Sequence, residues 1–283
     1  MQIGRRGFLK GSGAAAAMAV LAPSLLPERA EAAGRSGSGP DVAIKVDVTK
    51  CIGCWWCYAA CKHNRTHAET ARPDWEGPPE IGPHTWTTLF TALRDGDEWD
   101  WRRHACMHCA NASCENVCPT GAISHQGTAV VIDQEWCIGC GYCVHACPYD
   151  IPHKDEHLGT TRKCDMCIDR TRNGEIPFCV DACPTGALEF GERNEMLSLA
   201  RERVELLKST GHPRAFLYGE HELGGLGVFS VLDEPPPDYG LPEDPKEATA
   251  SAWAKWLSGA ATAGLIAAVP FWFLFKRASK HSE

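Results

Sequence analysis

The stretch CIGCWWCYAAC at residues 51–61, with its near-copy CIGCGYCVHAC at residues 137–147, decides the reading of this chain. Both runs have the form C-x2-C-x2-C-x3-C. Two further groups stretch one gap of the same frame: CMHCANASCENVC at 106–118, and CDMC at 164–167 separated by eleven residues from CVDAC at 179–183. All 16 cysteines of the 283-residue chain lie in these four groups of four.

This is the spacing of bacterial ferredoxins, in which three close thiolates hold one 4Fe-4S cluster and the fourth ligates its neighbour. A cubane has four irons and each takes one thiolate, so 16 cysteines saturate four clusters with none left over. Structural zinc accepts two CxxC pairs but has no use for a third cysteine three residues on, nor for Pro after the fourth. An even cysteine count in an exported chain also fits a disulfide framework. Four groups at ferredoxin spacing favour clusters over both.

Only eighteen residues separate Cys118 from Cys137, with a Gly-containing turn and a strand over Thr128–Asp133 between them. The two middle groups therefore form one two-cluster unit, and the outer two pair by exclusion. CPTGA at 118–122 recurs at 183–187, marking a nested internal duplication. Exchange of the fourth cysteine within each pair gives the ligand sets. Cluster 1 takes Cys51, Cys54, Cys57 and Cys183; cluster 2 takes Cys61, Cys164, Cys167 and Cys179. Cluster 3 takes Cys106, Cys109, Cys114 and Cys147; cluster 4 takes Cys118, Cys137, Cys140 and Cys143. A chain of four clusters has one obvious use, carrying single electrons over a distance.

His63, His104, His108, His125 and His145 lie near the cysteines, but with every iron site filled they read as surface or hydrogen-bonding residues. Arg162 and Lys163 admit two readings: a solvated basic pair, or cations that raise the potential of a neighbouring cluster. Trp55 and Trp56 are expected to pack as an apolar shield over the first cluster.

The net charge of -8 and the lack of a basic stripe interleaved with aromatics exclude nucleic acid as a partner. Small cluster domains bury little apolar surface, so metal binding supplies much of their folding free energy, and the apo-protein is expected to be poorly folded. At the N-terminus, Arg5-Arg6-Gly7-Phe8-Leu9-Lys10 precedes an alanine-rich apolar run, Ala14–Leu26, and then Ala30-Glu31-Ala32. Residues 1–32 thus read as a twin-arginine signal peptide with an A-x-A cleavage site. That route exports folded proteins, so clusters can be assembled before transport into an oxidising compartment.

Beyond the signal, residues 33–40 read as a linker. The alternation of Val42, Ile44, Val46 and Val48 predicts a strand opening the first half of an outer ferredoxin domain, 41–105. Its insert, with a Pro-rich loop (Arg72–Pro83) and strands at Thr85–Leu93 and Trp99–His104, reads as a partner-facing surface or a plain loop. The inner ferredoxin domain spans 106–157, and the second half of the outer one 158–190. Segment 191–250 carries a docking helix, a strand and an acidic connector. The helix, Glu195–Ser209, has Leu197, Ala200, Val204 and Leu207 on one face, Asn194 as N-cap and Gly211 as its stop; the strand is Gly227–Leu232 and the connector Asp233–Glu247.

Trp256–Phe275 is free of charge over 20 residues, long enough at ~1.5 Å per residue to cross a ~30 Å hydrocarbon core, within a helix at 251–277. Trp253, Trp256 and Trp272 suit an aromatic belt, and Gly259, Ala260, Ala263 and Gly264 suit close packing on a partner helix in the lipid bilayer. Lys276, Arg277 and Lys280 follow the span while Glu243, Asp244 and Glu247 precede it. The positive-inside rule then puts the tail, 278–283, in the cytoplasm and the cluster domain on the periplasmic side of the inner membrane. The expected fold class is α+β: two pseudo-symmetric, nested two-cluster ferredoxin-like domains plus one C-terminal transmembrane helix.

Over residues 41–232 the order of the groups and the eleven-residue gap resemble the iron-sulfur subunits of membrane-bound molybdopterin oxidoreductases. Within them, CVDACPTGALEFG, the helix, GGLGVFSVL, and GLPEDPK before one C-terminal helix most resemble the beta subunits of periplasmic formate dehydrogenases. That resemblance implies a catalytic alpha subunit with a molybdenum or tungsten pterin, and a cytochrome b gamma subunit that passes electrons to quinone. The separate export signal instead resembles the ferredoxin-like electron-transfer subunits of periplasmic uptake hydrogenases, the alternative donor. No cysteine is replaced by Trp, which disfavours a nitrate-reductase-like subunit with a three-iron cluster. Chemistry at a cluster needs an iron without a protein ligand, so no substrate conversion is expected within this chain.

Overall fold

In the computed structural model the described residues are 39–66, 79–94, 98–249, 259, 262–264 and 272. The signal peptide and the loop at 72–78 lie outside them. So does the membrane-helix stretch, apart from Gly259, Thr262, Ala263, Gly264 and Trp272, which are helical and exposed. Among the described residues no helix is long and apolar enough to cross a membrane.

The elements in chain order are β1 (Val42–Asp47), α1 (Trp56–Cys61), β2 (Thr87–Arg94), β3 (Glu98–Ala105), α2 (Ser113–Asn116), β4 (Ile123–Gln126), β5 (Ala129–Ile132) and α3 (Tyr142–Ala146). They continue with β6 (His153–Asp155), β7 (Thr160–Arg162), α4 (Ile168–Thr171), α5 (Phe178–Asp181), β8 (Leu188–Glu192), α6 (Arg193–Ser209), β9 (Phe216–Tyr218) and β10 (Val228–Leu232).

Alternation along β1 works in both directions, because both of its faces are covered. Ile44 and Val46 face the main core and the cysteines. Ala43 packs under α6 with Phe229 and Val231. β1 is central in a four-stranded sheet of order β8-β1-β10-β9. It runs antiparallel to β8, with Ile44 opposite Phe190, and parallel to β10, with Ile44 opposite Val228. The β1–β8 pairing brings the strand before the first cysteine group beside the strand after the fourth. The middle groups are served by separate two-stranded hairpins, β4–β5 and β6–β7. The duplication visible in the cysteines is thus not matched in the sheets: only the outer pair of strands is widened, by β10 and β9.

Helix α6 corrects one expectation. Its N-cap is Glu192, whose carboxylate accepts the Glu195 N–H at 3.0 Å, so Asn194 lies inside the first turn. Its apolar face, Met196, Leu197, Ala200, Val204 and Leu207, docks on the chain's own sheet. Each of the larger side chains contributes about 1.5–3 kcal/mol by leaving water. Arg203 and Lys45 extend the same layer through ion pairs to Asp47 and Glu189, both at 2.9 Å.

The acidic connector is also more than a tether. Tyr239 and Leu241 are buried in the main core. The Tyr239 carbonyl accepts from Arg102 Nε at 2.9 Å, while its hydroxyl donates to Asp233. The connector then passes the second cysteine group, where the Ala248 N–H donates to Ser113 Oγ at 3.1 Å.

Candidate metal centres

Each CxxC turn needs a left-handed backbone at its third position. Gly53 and Gly139 supply it at φ 64° and 63°, and His108 and Met166 supply it at φ 49° and 60° in the other two groups. A left-handed L-residue costs about 1–2 kcal/mol. The two non-glycine residues offset this by packing and bonding: Met166 is fully buried in the core, and His108 Nδ1 accepts the Val130 N–H at 2.9 Å. Backbone N–H groups of these segments point at sulfur, Met166 N–H to Cys164 Sγ at 3.5 Å and Thr161 N–H to Cys137 Sγ at 3.4 Å. Such hydrogen bonds stabilise a charged thiolate and raise the potential of a cluster it holds.

All sixteen cysteines are free thiols, which removes the disulfide alternative. Cys51, Cys54, Cys57 and Cys183 line one cavity, and Cys61, Cys164, Cys167 and Cys179 line another. The Cys109 thiol interacts electrostatically with Cys106, Cys147 and Cys114. Cys143 lies against Cys137 and Cys140, and Cys118 packs on the small apolar cluster that contains Cys143. Electrostatic interactions between thiols link the quartets in series: Cys57 with Cys179, Cys164 with Cys106, and Cys114 with Cys143. Exposure differs along this series, since Cys54 and Cys140 at its two ends are the exposed cysteines.

Burial dominates the thiol chemistry. It pushes Cys57, Cys114 and Cys167 up to about 12, and Cys147 and Cys164 up to about 11. Without iron these groups hold their protons at neutral pH, so loading metal releases protons and completes the fold together. Among the described residues, no three His, Cys, Asp or Glu side chains converge closely enough to hold a single metal ion. The first two quartets instead each surround a space, the arrangement that a four-iron cubane with one thiolate per iron requires.

Other residues singled out in the sequence divide. Trp55 lines the first cavity and meets Trp101 edge-on at 6.3 Å, but Trp56 is 60% exposed and is not among the residues that line that cavity. Trp55 holds φ 65° at the position where the third group has Gly141, φ 79°. His63 and His145 are exposed. His125 faces Glu115 at 2.5 Å and donates to the Cys109 carbonyl at 3.1 Å. His104 reaches the Tyr149 carbonyl at 3.4 Å, and burial, helped by Arg102, lowers its pKa to about 4. Burial likewise holds His108 well below the usual histidine range. Of the basic pair, Arg162 is half-buried near Asp155, at 3.8 Å, whereas Lys163 is buried and donates to the carbonyls of Val130 and Cys164.

The residue the sequence reading missed is Arg103. The insert was expected at the surface, yet β2–β3 sends Leu89, Arg102 and Arg103 into the interior and leaves Leu93 and Trp99 exposed near its tip. Consecutive strand residues point to opposite faces. Arg102 goes to Tyr239 and the Phe90 ring, and Arg103 goes between the first two cavities, lining both. An Arg-Arg pair three residues before a cysteine group, in a strand otherwise half apolar, was the available signal.

Residues 97–193 and residues 50–122 each match a family described as "4Fe-4S dicluster domain", and residues 2–22 match the "TAT (twin-arginine translocation) pathway signal sequence". The "Formate dehydrogenase, nitrate-inducible, iron-sulfur subunit" of Escherichia coli (strain K12) is 38% identical over 239 residues, 80% of this chain and 81% of the relative. The "Formate dehydrogenase-O iron-sulfur subunit" of the same organism is 39% identical over 217 residues, 73% and 72% of the two chains. The "Hydrogenase-2 operon protein HybA" of Escherichia coli O157:H7 is 28% identical over 276 residues, 84% of each. The chain is built of two ferredoxin-like dicluster domains with mixed helix and strand, and its twin-arginine signal directs it to the periplasmic side. With sixteen free thiols gathered in linked quartets, these matches make the chain a member of the formate dehydrogenase iron-sulfur subunit family, an electron-transfer subunit of an oxidoreductase complex that carries four 4Fe-4S clusters.

Proposed function

We propose that the subunit takes electrons from a formate-oxidising molybdenum or tungsten pterin subunit and delivers them to a membrane cytochrome b and quinone. The ligand sets are those of the nested exchange: Cys51, Cys54, Cys57 and Cys183; Cys61, Cys164, Cys167 and Cys179; Cys106, Cys109, Cys114 and Cys147; Cys118, Cys137, Cys140 and Cys143. Residues 41–105 and 158–190 then form the outer domain and 106–157 the inner one. When bound, each cluster stores one electron. The protein's part is to hold the quartets in series, keep water from the inner two, and expose the outer two to partners.

The observation that carries this reading is the linked order of the quartets with an exposed cysteine at either end. Each end also bears exposed apolar side chains, Ile52 and Trp56 beside Cys54, and Trp136, Ile138 and Tyr142 beside Cys140, all 60–67% exposed. Isolated exposed apolar residues are ordinary; clusters flanking a redox ligand suit subunit contacts. The two ends differ in what lies near them. The connector to residues 251–277 is tied to Ser113, beside Cys114 and hence next to the fourth quartet. This supports a membrane-facing fourth quartet, with Trp136, Ile138 and Tyr142 against the cytochrome, and a first quartet facing the catalytic subunit.

The 251–277 segment serves as a single-pass anchor in this reading, with the C-terminus in the cytoplasm. A reporter fused after Glu283 is expected to be active only if it works in the cytoplasm; activity restricted to periplasmic reporters would contradict the topology. The donor is tested by cluster reduction in native membranes, followed by electron paramagnetic resonance (EPR) under formate and, separately, under hydrogen. Formate is expected to reduce all four clusters. Reduction by hydrogen alone, with no pterin subunit co-purifying, would replace the donor and leave the wire intact.

A further inference from the structure

Arg103 and Lys163 are two buried cations, 4% and 5% exposed, and they occupy the two gaps on either side of the second quartet. Arg103 lines the cavities of both the first and second quartets. Its Nη2 lies 3.4 Å from Thr87 Oγ1 and 3.9 Å from Cys164 Sγ, while Nε and Nη1 have no hydrogen-bond partner among the described residues. Lys163 immediately precedes Cys164 of the second quartet, and its ammonium reaches the carbonyls of Cys164 and of Val130, which belongs to the apolar cluster that packs Cys114 of the third. Its ammonium bonds to two carbonyls, which take no charge from it, and the nearby Asp165 is already paired with Arg65.

A buried cation without a carboxylate partner is costly unless another anion neutralises it. A cubane with four thiolates is such an anion, and it becomes more negative on reduction. Burial works against that added electron most where the thiols are least exposed. All four cysteines of the second quartet are buried, while the end quartets each reach solvent through Cys54 or Cys140. Left uncompensated, the interior of the wire would be harder to reduce than its ends.

We propose that Arg103 and Lys163 are positioning residues for charge: one fixed cation on each side of the second quartet offsets its burial and keeps the interior clusters reducible at the potential of the terminal ones. Each cation serves two clusters, Arg103 the first and second, Lys163 the second and third. The fourth is served by neither. This rests on the ligand sets proposed above.

The test is a redox titration of the four clusters by EPR in the anaerobically purified complex, comparing wild type with R103Q and K163Q and counting iron in each. R103Q is expected to lower two of the four potentials and K163Q to lower two, with one cluster lowered in both variants and one in neither. R103K and K163R, which keep the charge but change the donor geometry, are expected to restore the wild-type potentials even where thermal stability drops. A purely structural role would not give that split. No shift, or an equal shift of all four, overturns the proposal. Should R103Q lose iron, K163Q decides alone, because it must lower two potentials and spare two. Wrong ligand sets would fail differently: Cys167→Ser would perturb a cluster other than the shared one while the overlap pattern persisted.

Discussion

Cys183→Ala is expected to lower the iron content from about sixteen toward about twelve per chain and to change the spectrum of the cluster held by Cys51, Cys54 and Cys57. Cys183 follows Cys179 by four residues, yet the two line different cavities: Cys179 the second with Cys61, Cys164 and Cys167, and Cys183 the first with Cys51, Cys54 and Cys57. The short helix α5, Phe178–Asp181, turns the chain between them, with Cys179 buried and Cys183 half-exposed near Thr185 Oγ1 at 3.8 Å. With the ligand sets proposed above, loss of the Cys183 thiolate would leave one iron of cluster 1 without its ligand, and the exposed Cys54 side would not protect it from solvent. Cluster 2 keeps all four thiolates. Iron and acid-labile sulfide analysis with low-temperature EPR checks this. A loss confined to the cluster of Cys61, Cys164 and Cys167 would show that the exchange of fourth cysteines runs the other way.

Gly139→Ala is expected to be nearly as damaging, without touching a ligand. Gly139 has φ 63°, and a Cβ built there would lie 1.9 Å from the Gly159 carbonyl oxygen. That atom belongs to the backbone of the tight turn between β6 and β7, so no side-chain rotation relieves the clash. Either the Cys137–Cys140 turn or the hairpin must move, and the cost should exceed about 4 kcal/mol, with loss of cluster 4. Gly141→Ala is the control. Its φ of 79° is as strained, but its Cβ would enter open space, so about 1–2 kcal/mol is expected. Gly53→Ala should fall between them, since the obstacle at 2.5 Å is the Trp101 ring, which can shift at the expense of its contact with Trp55. Anaerobic thermal unfolding with iron analysis ranks the three; an Ala at 139 that is tolerated as well as one at 141 would mean that the turn is not held against the hairpin.

Cluster number, export and family were legible in the sequence because each depends on local spacing. Thiolate stoichiometry is counted along the chain, the twin-arginine motif is contiguous, and the face of α6 repeats at helical period. Strand β1 was likewise found by alternation, and β2, β3, β5 and β10 were placed to within a few residues. What alternation cannot supply is the identity of what lies on each face. Trp55 and Trp56 are equivalent in sequence, yet one lines a cavity and the other is exposed.

Only the tertiary structure decided which quartets adjoin, because the electrostatic interactions Cys57–Cys179, Cys164–Cys106 and Cys114–Cys143 join different cysteine groups through space. It also placed Arg103 between two quartets. Charge in a sequence ordinarily signals solvent, since burying an unpaired cation costs several kcal/mol. That expectation fails where neighbouring strands and loops surround the guanidinium with thiols, and no pattern within Glu98–Ala105 records those thiols. Spacing along the chain determines what metal this protein can hold; packing of distant segments determines the electrostatic field in which the metal works.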